Sequence, residues 1–435
     1  MFAFRDDELS LLEKDFSKPV SSFSFIFGRR KVGKTSLINE YLQEKNALYL
    51  SCVEMVPSLF FESLSRQVAS FFKIKIEEQV TDLKALLTLI STCSVDTKTV
   101  IVFDDFHHLM KIEKKSLQTF YTLWGRKLKA KNLQIIISSS VLSSNKDDIN
   151  IFNKAANYIR LESLNFNIIK SQLPDLNKNE TMYVYSAFGT NPQYLELYDV
   201  KKDFILNVKD NFLSYDSFIF NEGFNIIKDE LSEVGTYCSI LYAIAMGNKK
   251  IGDIANFLNV KSSYLTRYMQ KLVDIMILSK HIPINDNPAK SKFGRYEIED
   301  NFLKFWFCYI YPNSSYLKRK EHYPIISHIR RDFSNRLVKD AYKRYVLELI
   351  INEPEKFLGY VPSSIGGWWN NKVNDIDIVA YNNKDITFIN CKWRQRDSAK
   401  DSYEELKNNA QNFETSLNRK YTIFAKNITS KQQNR

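Results

Sequence analysis

Nine consecutive residues, Gly28–Ser36, read GRRKVGKTS. They satisfy G-x-x-x-x-G-K-[ST] in full, the pattern of a backbone loop that wraps phosphate. Each fixed position has a physical reason. Gly28 and Gly33 allow conformations that turn N–H groups inward as an anion nest. A helix starting beside them adds its partial positive charge. Lys34 reaches the β- and γ-phosphates, and the Thr35 hydroxyl suits Mg²⁺. Arg29, Arg30, Lys31, Val32 and Ser36 complete the candidate contact segment. The ligand this chemistry calls for is ATP with Mg²⁺.

A second carboxylate-bearing segment follows. Thr99–Asp105 reads TVIVFDD. Asp104 is the candidate for holding Mg²⁺ through water. Asp105 is the candidate for orienting the attacking water, with an ordinary helix N-cap as its competing use. Leu133–Ser140, LQIIISSS, ends in hydroxyls that could sense a γ-phosphate. Ser139 is the named candidate, although Ser138 and Ser140 rank equally on sequence. His107 and His108 lack a metal-ligand partner set and read as helix-start residues.

These groups need a scaffold. Phe23–Phe27 is a short apolar run leading into the glycine loop, and Ser36–Leu42 reads as the opening of a helix. Val100–Phe103 has the continuous apolar character of a central parallel strand. That puts Asp104 at a strand's carboxyl end, where open α/β sheets bind ligands.

The remaining composition bounds the class. The chain has 435 residues, 44% of them apolar and 26% charged, which suits two to four folded domains rather than disorder. Its net charge is +11. Residues 311–435 carry 22 Lys/Arg against 14 Asp/Glu and so contribute +8. A polyanion partner or a soluble basic surface are equal readings of that charge. The five cysteines are scattered, with no C-x-x-C pair, so neither a zinc site nor a disulfide framework is indicated. Without an apolar leader in MFAFRDDELSLLEKDF or a run near 20 apolar residues, we expect a cytoplasmic protein with no membrane partner.

Residues 236–282 read as two short helices, a turn at Asn259 and a third helix, Ser262–Met276. That is a helix-turn-helix outline. Lys261, Arg267 and Lys271 fall off the apolar stripe and are candidate DNA contacts. Lys292 and Arg295 are placed in a wing. Further on, Ile376–Ala380 and Ile386–Trp393 are two strands around Asn382-Asn383, a hairpin signal. Lys392, Arg394, Arg396 and Lys400 follow among aromatics, a mixture that suits nucleic acid. Of the adjacent Trp368 and Trp369, one is expected inward and one outward.

Taken in order, these motifs resemble a prokaryotic family of AAA+-related STAND ATPases, often called archaeal-type ATPases. Its members carry a winged-helix domain and a C-terminal nuclease-like domain of unknown function. Phe4-Arg5, Glu8-Leu9 and Leu12 resemble the family's F-x-x-R-x-x-E-L-x-x-L opening, which lies near the adenine, with slightly compressed spacing. Gly189–Leu195 resembles its G-G-x-P-x-Y-L box, with Thr190 in place of the second Gly. YCSILYAIAMG (237–247) and YLTRYMQKL (264–272) resemble its winged-helix run. In such ATPases the position of Asp105 is usually Glu, so slow or partner-gated hydrolysis is implied.

The resemblance also implies a PD-(D/E)xK pattern at Asp377, Asn390 and Lys392. Asn390 stands where the second carboxylate belongs, and Tyr342-Lys343 where the family has Phe-Glu. Glu348 lies near that place, and Asp375 is expected to point away from Asp377. A degenerate nuclease fold is therefore favoured.

The expected fold class is α/β: a P-loop NTPase parallel sheet with a helical lid, an α-rich winged-helix domain and a C-terminal α/β nuclease-like domain. The expected boundaries are 1–162, 163–232, 233–298 and 299–435. The leading functional expectation is a Mg²⁺-dependent ATPase that works as a nucleotide-dependent switch. It would couple ATP to double-stranded DNA, a protein partner or self-association. The alternatives are an ATP-regulated DNA nuclease and a non-hydrolysing nucleotide-binding module.

Overall fold

In the computed structural model the described residues are 5–93, 95–140, 157–287, 290–370, 375–393, 399–426 and 428–429. Phe4, Arg394 and Arg396, singled out above, lie outside them. The chain divides into two compact units, 1–164 with 274–276, and 165–273 with 277–435.

Among the described residues the first unit is built on five parallel strands. They are β1 (Ser22–Phe27), β2 (Ala47–Ser51), β3 (Thr99–Asp104), β4 (Leu133–Ser139) and β5 (Asn157–Arg160). Their spatial order is β2-β3-β4-β1-β5, every neighbouring pair parallel. Strand alternation sorts their residues onto two faces. On one face Phe23, Phe25, Phe27, Leu48, Leu50, Ile101, Phe103, Ile135 and Ile137 share a core with α3 (Pro57–Phe72) and α4 (Leu83–Thr92). On the other, Ile26, Val100, Val102 and Ile136 pack with Leu12 of α1 (Asp6–Phe16) and with Leu37, Ile38 and Tyr41 of α2 (Lys34–Leu42). Both faces are covered, which is why the strand sequences are continuously apolar rather than alternating.

Register then places the chemistry. Tyr49, Asp104 and Ser138 each follow, at spacing two, a residue that packs on the α1/α2 face: Ala47, Val102 and Ile136. All three therefore point from the carboxyl ends of their strands to that face. Ser51 pairs with Asp104, and Phe27 with Ser139, so the strand ends are level. α1 is fixed to β1 by the buried Asp15, which accepts from Ser24 Oγ at 2.7 Å and Lys18 Nζ at 2.6 Å.

The second unit begins with helices, among them Lys178–Phe188, whose Asn177 and Glu180 form a capping box. Three helices follow, Val234–Ala245, Ile251–Leu258 and Ser262–Asp274, then an antiparallel pair, β6 (Leu278–His281) with β7 (Arg295–Ile298). Leu265, Tyr268, Met269 and Leu272 form the buried stripe of the third helix.

The unit ends on a mixed sheet of β8 (Ser364–Trp369), β9 (Asp375–Tyr381), β10 (Asp385–Lys392), β11 (Asn418–Ala425) and β12 (Ile428–Thr429), in the order β12-β11-β10-β9-β8. β9 and β10 form the expected hairpin. Asn382 Oδ1 accepts from the N–H groups of Lys384 and Asp385, both at 2.8 Å, which closes the turn. β10 and β11 are parallel, with the helix Ala399–Gln411 between them in sequence. Trp368 and Trp369 are both buried, contrary to expectation. Trp368 enters the sheet core, and Trp369 is covered by the segment between β6 and β7.

That covering has several contacts. Ile284 N–H donates to Gly367 O at 2.9 Å, and Trp369 Nε1–H donates to Phe293 O at 2.8 Å. Arg295 pairs with Asp375 at 2.6 Å and stacks over the Trp369 ring.

A partly buried charge network also joins separate stretches of this unit. Lys304 pairs with Asp340 at 2.5 Å and Lys249 with Glu297 at 2.5 Å, while Lys249 also lies 3.7 Å from Asp340. Arg344 donates to the carbonyls of Ile298 and Glu299, both at 2.6 Å.

Candidate functional site

The glycine loop runs from the end of β1 into the start of α2. Gly28 N–H donates to Ser139 O at 3.3 Å, tying the loop to β4. A Cβ on Gly28 would stand 2.7 Å from Leu161 O and 2.9 Å from Val32 Cγ1, so no larger residue fits without moving backbone. Gly33 caps α2 with φ 100°, and Lys31 is also left-handed at φ 64°. These two positive-φ positions curl the loop. Lys34, only 6% exposed, donates from Nζ to the carbonyls of Gly28 at 2.9 Å and Arg29 at 3.2 Å. Its ammonium thus lies within the loop's curve. Arg5 braces the outside. Its guanidinium pairs with Glu8 at 2.9 Å and donates to Val32 O at 3.2 Å and Glu162 O at 2.6 Å. Arg29 reaches Ser163 Oγ at 3.2 Å.

Below the loop stands Asp104, 2% exposed. Thr35 Oγ1 donates to its Oδ2 at 2.8 Å. Tyr49 OH donates to the same oxygen, and Ser138 Oγ donates to Oδ1. The Asp105 N–H lies 3.1 Å from both Asp104 Oδ1 and Ser138 Oγ. Burial and the Asp104 charge push the Tyr49 phenol up, so it remains a donor. The Thr35 hydroxyl and the Asp104 carboxylate are hard oxygen donors side by side, a set that fits Mg²⁺.

Asp105 follows with φ 53°, a left-handed conformation that Asp tolerates better than most residues. Burial and the neighbouring Asp104 raise its carboxyl, with Lys34 and His108 opposing. His107 Nδ1 lies 3.9 Å from Asp105 Oδ1 and 3.4 Å from Ser140 Oγ. Burial, then the charges of His108 and Lys34, hold the His107 imidazole down to about 3, so it is neutral at pH 7.

Of the three serines at the end of β4, Ser138 is the one whose hydroxyl meets Asp104. Ser139 gives its carbonyl to Gly28, and Ser140 faces His107. Sequence reading did not find Tyr49. The period of β2 places it on the face of Asp104, but only the β2–β3 register brings it there.

The sequence agrees with known proteins at this point. Residues 2–198 match the family described as an ATPase domain predominantly from Archaea, and residues 306–406 match archaeal and bacterial proteins of unknown function. An uncharacterized protein of Methanocaldococcus jannaschii is 30% identical over 406 residues, covering 91% of this chain and 88% of its own. The chain belongs to the archaeal-type P-loop ATPases. An uncharacterized ATP-binding protein of the same organism is 40% identical over 45 residues, 10% of this ATPase and 76% of its own length. Among solved structures, the Walker-type ATPase of Pyrococcus abyssi superposes with a TM-score of 0.50 at 16% identity. It covers 70% of this chain and 96% of that one. At that identity the likeness shows the fold, a P-loop NTPase α/β sheet.

The other candidate residues of the ATPase lie in the second unit. Lys261 is exposed, Lys271 half-buried and Arg267 exposed. Arg267 is engaged with Glu233 at 3.3 Å and with the Tyr268 hydroxyl. Asp377 accepts from Cys391 N–H at 2.8 Å, and Asn390 Oδ1 accepts from Asp377 N–H at 3.2 Å. Lys343 Nζ lies 3.6 Å from Asp377. Lys392 pairs with Glu405 at 2.9 Å. Glu348 is turned away, accepting from Phe166 N–H at 3.0 Å. Asp375 is likewise elsewhere, held by Arg295. A bulge sets Trp368 opposite Ile376 but Gly366 opposite Val379, which breaks simple alternation around Asp377. Among the described residues no group of three or more His, Cys, Asp or Glu could hold a metal ion, and no helix is long and apolar enough to cross a membrane.

Proposed function

We propose that the chain is an ATP-hydrolysing switch. ATP is held by residues 28–36, with Lys34 on the β- and γ-phosphates. Thr35 and Asp104 hold Mg²⁺, which supplies charge neutralisation at the phosphates. Asp105 aligns the attacking water. Its left-handed backbone and shorter side chain suit a slow, partner-gated turnover. The observation that carries this reading is the Thr35–Asp104 hydrogen bond beneath a loop whose Lys34 ammonium sits inside its curve. It joins the two halves of a nucleoside-triphosphate site from segments 69 residues apart.

The second unit is the proposed output. Its three helices and the β6–β7 pair fit a winged helix, with Lys261, Arg267 and Lys271 on the exposed side toward duplex DNA or a protein partner. The wing segment is engaged by β8, so the helix, not the wing, is the proposed contact element. The nuclease-like sheet is proposed as non-cutting. Lys343, an ammonium, stands 3.6 Å from Asp377 where a second carboxylate would be needed, and Asn390 is a neutral and weaker ligand.

The experiment is ATP turnover by the purified chain, with and without duplex DNA, beside Lys34→Ala. The expected result is turnover that requires Lys34. Turnover equal in Lys34→Ala overturns the hydrolase reading, and turnover indifferent to DNA directs the output to a protein partner.

A further inference from the structure

Four donors converge on Asp104. Oδ2 receives Thr35 and Tyr49, and Oδ1 receives Ser138 and the Asp105 N–H. A carboxylate oxygen has about two lone-pair sites. Both oxygens are therefore filled, and Asp104 has no direction left in which to bind a cation directly. One of the four donors stands apart. The Thr35 hydroxyl is a cation ligand in its own right: a lone pair of its oxygen can face Mg²⁺ while its proton stays on Asp104 Oδ2. Tyr49 and Ser138 belong to β2 and β4, the strand on the far side of β3 and the strand on its near side.

We propose that Tyr49 is a positioning residue. Together with Ser138 it holds Asp104 from both flanking strands, so that the carboxylate meets the cation through water and Thr35 alone binds it directly. This rests on the assignment of Thr35 and Asp104 as the cation site. The Tyr49 phenol does not touch nucleotide in this scheme. It acts through Asp104, as partners behind a metal's own ligands commonly do, and the loss of such a partner typically costs about 10–100-fold in metal affinity.

Tyr49→Phe removes one hydroxyl and keeps the half-buried ring. The assay is equilibrium binding of a fluorescent ATP analogue to the full chain, titrated with Mg²⁺ and repeated in EDTA. Tyr49→Phe is expected to bind within about twofold of wild type in EDTA, where phosphate contacts act alone, and to need about tenfold more Mg²⁺ for half-maximal tightening. Ser138→Ala, the opposite support, is expected to give the same signature. An unchanged Mg²⁺ midpoint in Tyr49→Phe overturns the proposal. Equal weakening in EDTA and in Mg²⁺ also overturns it, because that is the mark of general structural damage. Two controls separate this from failure of the underlying assignment. If the wild-type chain gains nothing from Mg²⁺, or Lys34→Ala binds as tightly as wild type, the cation site itself is misplaced and Tyr49 falls with it. If both controls behave and Tyr49→Phe does not shift, Tyr49 alone is wrong.

Discussion

Asp340→Asn tests the partly buried charge network of the second unit. Burial pushes the Asp340 carboxyl up, but Lys304 and then Lys249 more than offset this and hold it at about 2, against an ordinary 3.8. At 1.36 kcal/mol per pH unit, that difference contributes about 2 kcal/mol of stability. The group is depressed, so its contribution is present above the ordinary value and is lost as pH falls from about 4 toward 2. Glu297 is lowered too, burial opposing and Lys249 leading the downward pull, so it steepens the same slope. Replacing Asp340 by Asn also leaves Lys304, whose side chain is 8% exposed, short of its closest partner. Breaking one side of a fully buried pair costs about 3–5 kcal/mol, and Asp340 is only partly buried, so a loss of about 2–3 kcal/mol is expected at pH 7. Four of the five tryptophans, Trp306, Trp368, Trp369 and Trp393, lie in this unit, so intrinsic fluorescence during urea unfolding reports mainly on it. The variant should also lose less additional stability than wild type between pH 5 and pH 3. A variant within about 0.5 kcal/mol of wild type at pH 7, or one with the wild-type acid slope, refutes the reasoning.

Three more outcomes are expected. Gly28→Ala forces a Cβ onto Leu161 O, so nucleotide affinity should fall at least about tenfold and the melting temperature should fall by the few degrees that overpacking costs; unchanged affinity would mean the loop is not the site. Plasmid DNA incubated with the chain and Mg²⁺ or Mn²⁺ should remain intact, and cleavage that vanishes in Lys392→Ala would restore the nuclease reading. All five cysteines are buried, and burial raises the thiols of Cys52, Cys93, Cys238, Cys308 and Cys391. A thiol reagent should therefore find no fast-reacting group until the chain unfolds, and one rapid equivalent in the native state would contradict that packing.

The phosphate loop and strands β1, β3 and β4 were legible because their signals are local: fixed glycines, four-residue apolar runs, and a carboxylate or hydroxyl at a strand end. The β9–β10 hairpin was legible for the same reason, through its Asn382 turn. Tyr49 was not, because ALYLS carries no motif and its meaning depends on which strand lies beside β2. β5, at the far edge of the sheet, was missed likewise. The choice among Ser138, Ser139 and Ser140 needed the parity of β4 against β3. Lys343 looked like a missing glutamate in sequence, and only the packing of its helix on β10 brings its ammonium to Asp377. One of Trp368 and Trp369 was expected outward, since nothing local shows that a segment 76 residues earlier in the chain covers Trp369.

The contact between that segment and β8 also bears on how the protein stays dispersed. Among the described residues β8 is the last strand of its sheet, and an open edge offers unpaired N–H and C=O groups to any passing strand. Ile284 takes one of those carbonyls, Trp369 is roofed by Phe293, and Arg295 with Asp375 places charge at the margin. The loop that links two strands of one module thus serves as the edge guard of another. A chain shortened between β6 and β7 should keep its phosphate loop yet become prone to sheet-to-sheet self-association, a liability that would surface as concentration-dependent turbidity before any loss of nucleotide binding.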